Sequence, residues 1–107
     1  MVLLVVKEEI ILSALMLLEG SSSGAPLHKK VIELSNKEIV YGTLYNLLEV
    51  LIRKGYVNTK KSSPKPVQGG RSKTIYTITQ KGKMALDETL KIHESIKLKL
   101  AEFESGN

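Results

Sequence analysis

No cysteine occurs among the 107 residues. That excludes disulfides, thiol nucleophiles and every thiolate-held metal or iron–sulfur centre. His28 and His93 stand far apart without cysteine companions, so neither is read as a metal ligand. A Gly-x-x-x-x-Gly-Lys-Ser/Thr loop, a nucleophile elbow and a His-Glu-x-x-His helix motif are missing as well. Glu8 and Glu9 are adjacent carboxylates, but neighbours on a helix point apart, which is poor geometry for shared acid–base work. The sequence therefore offers no support for an enzyme and calls for no cofactor. Long apolar runs are absent too. Met1–Val6 is cut off by Lys7, Glu8 and Glu9, and Ile10–Leu18 is far shorter than the roughly 20 residues a membrane helix needs. Neither segment has the flanks of a signal peptide. A soluble, cytoplasmic chain without membrane association is expected.

Acidic residues are missing from one long stretch. They stop at Glu49 and resume at Asp87, while Arg53, Lys54, Lys60, Lys61, Lys65, Arg71, Lys73, Lys81 and Lys83 lie between. Within an overall net charge of +5, this concentrates positive potential on one part of the molecule. Such a field attracts polyanions, nucleic acid foremost, although a merely solvated basic face has the same composition.

What is present reads as a short series of elements. Ile11, Ala14, Leu15 and Leu18 recur at helical spacing within Glu8–Glu19, with Leu12 and Leu17 widening the apolar side. Gly20-Ser21-Ser22-Ser23-Gly24 reads as a turn. A second helix is predicted from about Ala25, with Pro26 in its first turn and Leu27, Val31 and Leu34 on one face, ending at Ser35-Asn36-Lys37. A third runs from Gly42-Thr43 to Lys54, burying Leu44, Leu47, Leu48 and Leu51, with Gly55 closing it. The period then changes. Tyr56–Lys61 and Lys73–Thr79 read as strands around a breaker-rich loop over 62–72. A last helix, capped by Thr79, continues to about Phe103. Residues 1–7 are left open between helix and arm.

Three helices, a two-stranded antiparallel hairpin and a long C-terminal helix give an α+β, mostly helical fold of the winged helix-turn-helix type. Residues 1–78 would form the DNA-binding part and 79–107 a dimerisation helix, within one compact domain. In a helix-turn-helix protein the later helix enters the major groove and the earlier one braces the backbone.

Two motifs sharpen this reading. Gly42-Thr43-Leu44-Tyr45-Asn46-Leu47-Leu48, followed by Leu51, Gly55 and Tyr56-Val57, resembles the third helix of the PadR family of transcriptional regulators. Gly69-Gly70-Arg71-Ser72-Lys73, then Tyr76, Ile78-Thr79 and Lys81-Gly82, resembles that family's wing and the turn after it. The resemblance spans roughly Ile10–Leu90. It departs at the start of the second helix, where the family usually has His-Gly-Tyr and this chain has Ser23-Gly24-Ala25, so no role passes to the missing His or Tyr. With no tryptophan in the chain, the Trp-built aromatic ligand sandwich of some compact members is excluded.

The resemblance implies double-stranded DNA as partner, transcriptional regulation (commonly repression), a homodimer through the terminal helices, and at most a small-molecule effector at the dimer interface. Helix 42–54 would read the major groove through Thr43, Tyr45, Asn46, Glu49 and Arg53. Tyr45 would reach a phosphate, Asn46 an adenine edge and Glu49 a cytosine amino group, against the plainer readings of a packed tyrosine and solvated polar residues. Arg71, Ser72 and Lys73 of the wing would grip flanking DNA, Arg71 foremost, with Lys60, Lys61 and Lys65 as weaker candidates. Tyr56 and Tyr76 read as hairpin packing. Leu86, Leu90, His93, Ile96, Leu100 and Phe103 are the expected dimer-interface residues, since the last helix carries more apolar surface than one stripe requires. A winged-helix protein-interaction module and a non-specific architectural DNA-binding factor remain alternatives.

Overall fold

A computed structural model of the chain describes residues 2–61 and 73–106. Its elements are α1 (Val6–Leu17), β1 (Ser21–Ser23), α2 (Gly24–Ser35), α3 (Tyr41–Arg53), β2 (Val57–Lys61), β3 (Thr74–Ile78) and α4 (Gln80–Ser105). The helices fall within two residues of their expected bounds. Each apolar stripe meets the others in one core: Ile11, Leu12, Ala14 and Leu15 from α1, Leu27 and Val31 from α2, Leu44, Leu48 and Leu51 from α3, and Ala85 and Leu86 from α4. Leu34 and Leu17, expected on buried faces, are exposed instead.

The predicted turn at 20–24 hides a third strand. Ser21–Ser23 pairs antiparallel with β3, giving the order β1-β3-β2 with Ser22 opposite Tyr76 and Thr59 opposite Tyr76 on the other side. Three serines show no hydrophobic alternation, so this strand is held by backbone pairing rather than by a buried face. Glu19 and Gly20 both take positive φ (65° and 94°) to swing the chain from α1 into it. Gly55, at φ 82°, ends α3 as expected, because a left-handed residue costs glycine little.

Three polar anchors join the layers. Thr79 caps α4 by accepting from the Gly82 N–H at 3.0 Å, while its own hydroxyl donates to the Gly55 carbonyl at 2.6 Å. Residues 2–5 form an extended arm rather than helix: the Val2 N–H donates to Glu88 Oε2 (2.6 Å) and the Leu4 N–H to Thr89 Oγ1 (3.0 Å). Thr89 is fully buried and donates on to the Ala85 carbonyl, so its hydroxyl is satisfied on both counts.

The third anchor is Glu8. Its carboxylate is almost fully buried, accepts from the Val5 N–H that starts α1, and pairs with Lys54 Nζ at 2.6 Å. Glu9 turns elsewhere, to His93 Nε2 at 2.8 Å. Lys54, one of the nine cations of the basic stretch, is thus committed to the protein's own interior edge. Removing it strands a buried carboxylate. Breaking a fully buried pair costs about 3–5 kcal/mol, but Lys54 is half-exposed and water screens the pair, so Lys54→Ala is expected to cost about 1–2 kcal/mol in urea unfolding. Glu8→Gln, which keeps an acceptor for Val5, should cost less.

Candidate nucleic-acid interface

Helix α3 is strongly two-sided. Leu44, Leu48 and Leu51 are buried, whereas Gly42, Thr43, Tyr45, Asn46, Glu49 and Arg53 are exposed. At 100° per residue, Asn46 and Arg53 fall on the outward face two turns apart, with the other polar side chains distributed to either flank.

One flank faces the sheet. There Tyr41, Tyr45 and Glu49 of α3, Ser23, Gly24, Ala25 and Pro26 of the β1–α2 junction, and Lys73, Thr74 and Tyr76 of β3 and its approach line an open cleft of about 870 Å³. Tyr45 lies 6.4 Å from Tyr76 between ring centroids and 5.9 Å from Tyr41. Burial, the neighbouring Tyr45 hydroxyl and the Glu49 carboxylate together hold the Tyr76 hydroxyl above its ordinary pKa, so it keeps its proton. Gly24 fits here for a steric reason: a Cβ on it would come within 2.6 Å of the Tyr45 hydroxyl.

The opposite flank differs in character. Thr43 and Leu47 line a second, mostly apolar groove with Val6, Ile10, Val31, Ile39 and Val40. The expected DNA-facing residues are therefore not one cluster. Tyr45, Glu49 and Lys73 share the sheet-side cleft, Asn46 and Arg53 lie outward, and Thr43 sits across the helix from the tyrosines. Lys60, Lys61 and Lys73 are exposed at the open ends of β2 and β3. Lys65, Arg71 and Ser72 lie outside the described residues.

On α4, Leu86 is buried in the protomer's own core and cannot face a partner. Leu90, Ile96, Leu100 and Phe103 are exposed, and His93 is engaged with Glu9. Sequence reasoning missed Tyr41 and His28, whose rings stack 4.0 Å apart. The spacing Tyr41–Tyr45, one turn of helix, was the only signal for that flank.

Three helices around a common core, with a helix-turn-helix formed by α2 and α3 and a sheet whose β2–β3 pair runs beside α3, define the winged-helix class. Residues 11–88 match the transcriptional regulator PadR-like family, and the chain belongs to it. It is thereby a transcriptional regulator of a DNA-binding family. Among solved structures it is similar to a transcriptional regulator from Clostridium thermocellum, at 25% identity over 91% of this chain and 88% of that one with a TM-score of 0.68. A PadR family transcription regulator from Clostridium difficile is 21% identical over 91% and 96% of the two chains, with a TM-score of 0.73. A winged-helix DNA-binding protein from STIV is 22% identical over 83% and 85%, with a TM-score of 0.58. No curated protein matches the sequence. Among the described residues no group of acidic and histidine side chains is placed to hold a metal ion, and no helix is long and apolar enough to cross a membrane.

Proposed function

We propose that the protein binds double-stranded DNA sequence-specifically as a homodimer and represses transcription by occupying promoter sites. The observation that carries this reading is the polar outer side of α3, with Asn46, Glu49 and Arg53 unburied beside the exposed lysines of the β2–β3 pair. Helix α3 would enter the major groove, where Asn46 and Arg53 face base edges and Thr43 and Tyr45 meet the groove walls. Lys60, Lys61 and Lys73 would sit near flanking phosphates. Lys65, Arg71 and Ser72 enter this reading on sequence grounds alone.

The dimer is part of the proposal. On α4, the face that buries Ala85 and Thr89 continues at helical spacing through Ile96 and Leu100, which are exposed beyond the protomer's body. A second copy is the natural cover, and it would set two α3 helices about one duplex turn, roughly 34 Å, apart.

Selection of bound duplexes from a random pool tests both parts, with recovery of a palindrome as the expected result. Against the selected duplex, Lys61→Ala should flatten the dependence of log affinity on log salt by about 0.9, the share of a single neutralised phosphate. Asn46→Ala, at a position placed against base edges in this docking, should change the ranking of sequences more than that slope. Binding with no sequence preference would favour an architectural factor, and no binding to any duplex at low salt would favour a protein-interaction module.

A further inference from the structure

We infer that Tyr41 is an additional DNA-contacting residue, its hydroxyl donating to a backbone phosphate, and that His28 is the residue that positions it. The inference rests on the docking of α3 proposed above and adds a contact that neither motif nor composition assigns.

Tyr41 is the first residue of α3, and 45% of its surface remains exposed. Neither it nor Tyr45 belongs to the hydrophobic core. Its ring is nonetheless fixed. It lies almost flat on the His28 imidazole, with centroids 4.0 Å apart and planes 13° from parallel. His28 is fixed in turn, because its Nε2 bonds to the carbonyl of Ile39 in the connection between α2 and α3. Since a carbonyl can only accept, Nε2 carries the hydrogen. A ring placed for packing alone would be covered. This one is held against His28 on one face, borders the Tyr45 ring at 5.9 Å, and still keeps nearly half of its surface open.

The open side has the chemistry of a phosphate contact. Among the described residues the Tyr41 hydroxyl makes no hydrogen bond, so its donor is uncommitted. It borders the same cleft as the first residues of α2, so the positive ends of two helix dipoles face that space. Glu49, the acidic residue of the cleft, lies eight residues on, about 12 Å along the helix axis. A single hydroxyl also carries no bidentate base code, which suits it to the backbone rather than to a base edge. Because the stack immobilises the ring before DNA arrives, less side-chain entropy is lost on binding.

The test is titration of the selected duplex, and of variants of its sequence, with the full-length protein and with Tyr41→Phe, His28→Gln and the double variant. Tyr41→Phe should weaken every duplex about tenfold without changing their ranking. The salt slope should stay as in the parent, because a neutral donor releases no counterion on binding. His28→Gln should weaken binding about threefold, and that loss should vanish in the Tyr41→Phe background, as expected of two residues acting as a unit. Unfolding midpoints of both single variants should stay close to the parent's. Parental affinity for Tyr41→Phe, while Lys61→Ala still weakens binding, would overturn this inference and leave the docking of α3 standing. A changed ranking would overturn the phosphate assignment. An undiminished His28→Gln effect in the double variant would remove His28's positioning role. Failure of the parent protein to bind any duplex would end both the docking and this contact.

Discussion

Gly82→Ala should lower the unfolding midpoint by about 15 °C, a loss of about 2–3 kcal/mol in a domain of this size. Gly82 is the third residue of α4 and is buried. A Cβ there would fall on the backbone carbonyl oxygen of Tyr56 and within 2.9 Å of Ile78 Cγ1. Neither neighbour can give way cheaply. The Tyr56 carbonyl already accepts the Thr79 N–H at 3.0 Å, and Ile78 is a core residue of the central strand. Relief would require lifting the start of α4 off the sheet, which would stretch both hydrogen bonds of the Thr79 hydroxyl. Alanine's better helix propensity, worth up to about 1 kcal/mol, offsets only part of this. Gly42→Ala is the matched control, because a Cβ at Gly42 meets nothing within 4 Å and the same propensity gain should leave stability level or slightly raised. Thermal unfolding followed by circular dichroism decides the matter: equal midpoints for the two variants would mean that α4 does not approach the sheet so closely.

Much of this packing is legible along the chain because it is periodic. The leucines at 44, 48 and 51, the glycine at 55 and the threonine at 79 each act through near neighbours, so spacing alone locates α3, its end and the cap of α4. Features that depend on distant partners are not legible in that way. Ser21–Ser23 becomes a strand only because β3 offers an edge to pair with, and nothing in three serines announces it. Glu8 shows in the sequence only as one of two adjacent carboxylates, and nothing there announces the Lys54 that the end of α3 brings against it across 46 positions. Leu86 looks like surplus apolar surface on a long helix, yet the protomer's own core absorbs it. The candidate interface follows the same division. Its polar character is legible from the residues of α3, and so is the separation of Thr43 from Tyr41 and Tyr45, two residues and about 200° away on the same helix. The stacking of Tyr41 on His28 is not, because it depends on how α2 and α3 cross.

Glutamate at both Ile96 and Leu100 is expected to yield a folded monomer whose affinity for a palindromic duplex falls by about 100-fold or more. Helix α4 is 26 residues long, about 39 Å, and the molecule extends 67 Å along its longest axis. Its first half covers the protomer's core through Ala85, Leu86 and Thr89. Beyond the His93–Glu9 pair the same face carries Ile96 and Leu100 with about half or more of their surface open to solvent. Apolar area left in water forgoes about 25 cal/mol per Å², so a second α4 across this face would stabilise both copies. Two carboxylates in the middle of that contact would be buried without partners, a cost that dissociation avoids. Because both positions lie beyond the protomer's own core, the helical content of the variant should match that of the parent. DNA affinity should collapse all the same, since each monomer then binds one half-site without the other subunit holding it in place. Sedimentation at micromolar concentration separates the outcomes: a parent protein that is already monomeric would overturn the dimer, and a variant that stays dimeric would place the interface elsewhere on the molecule.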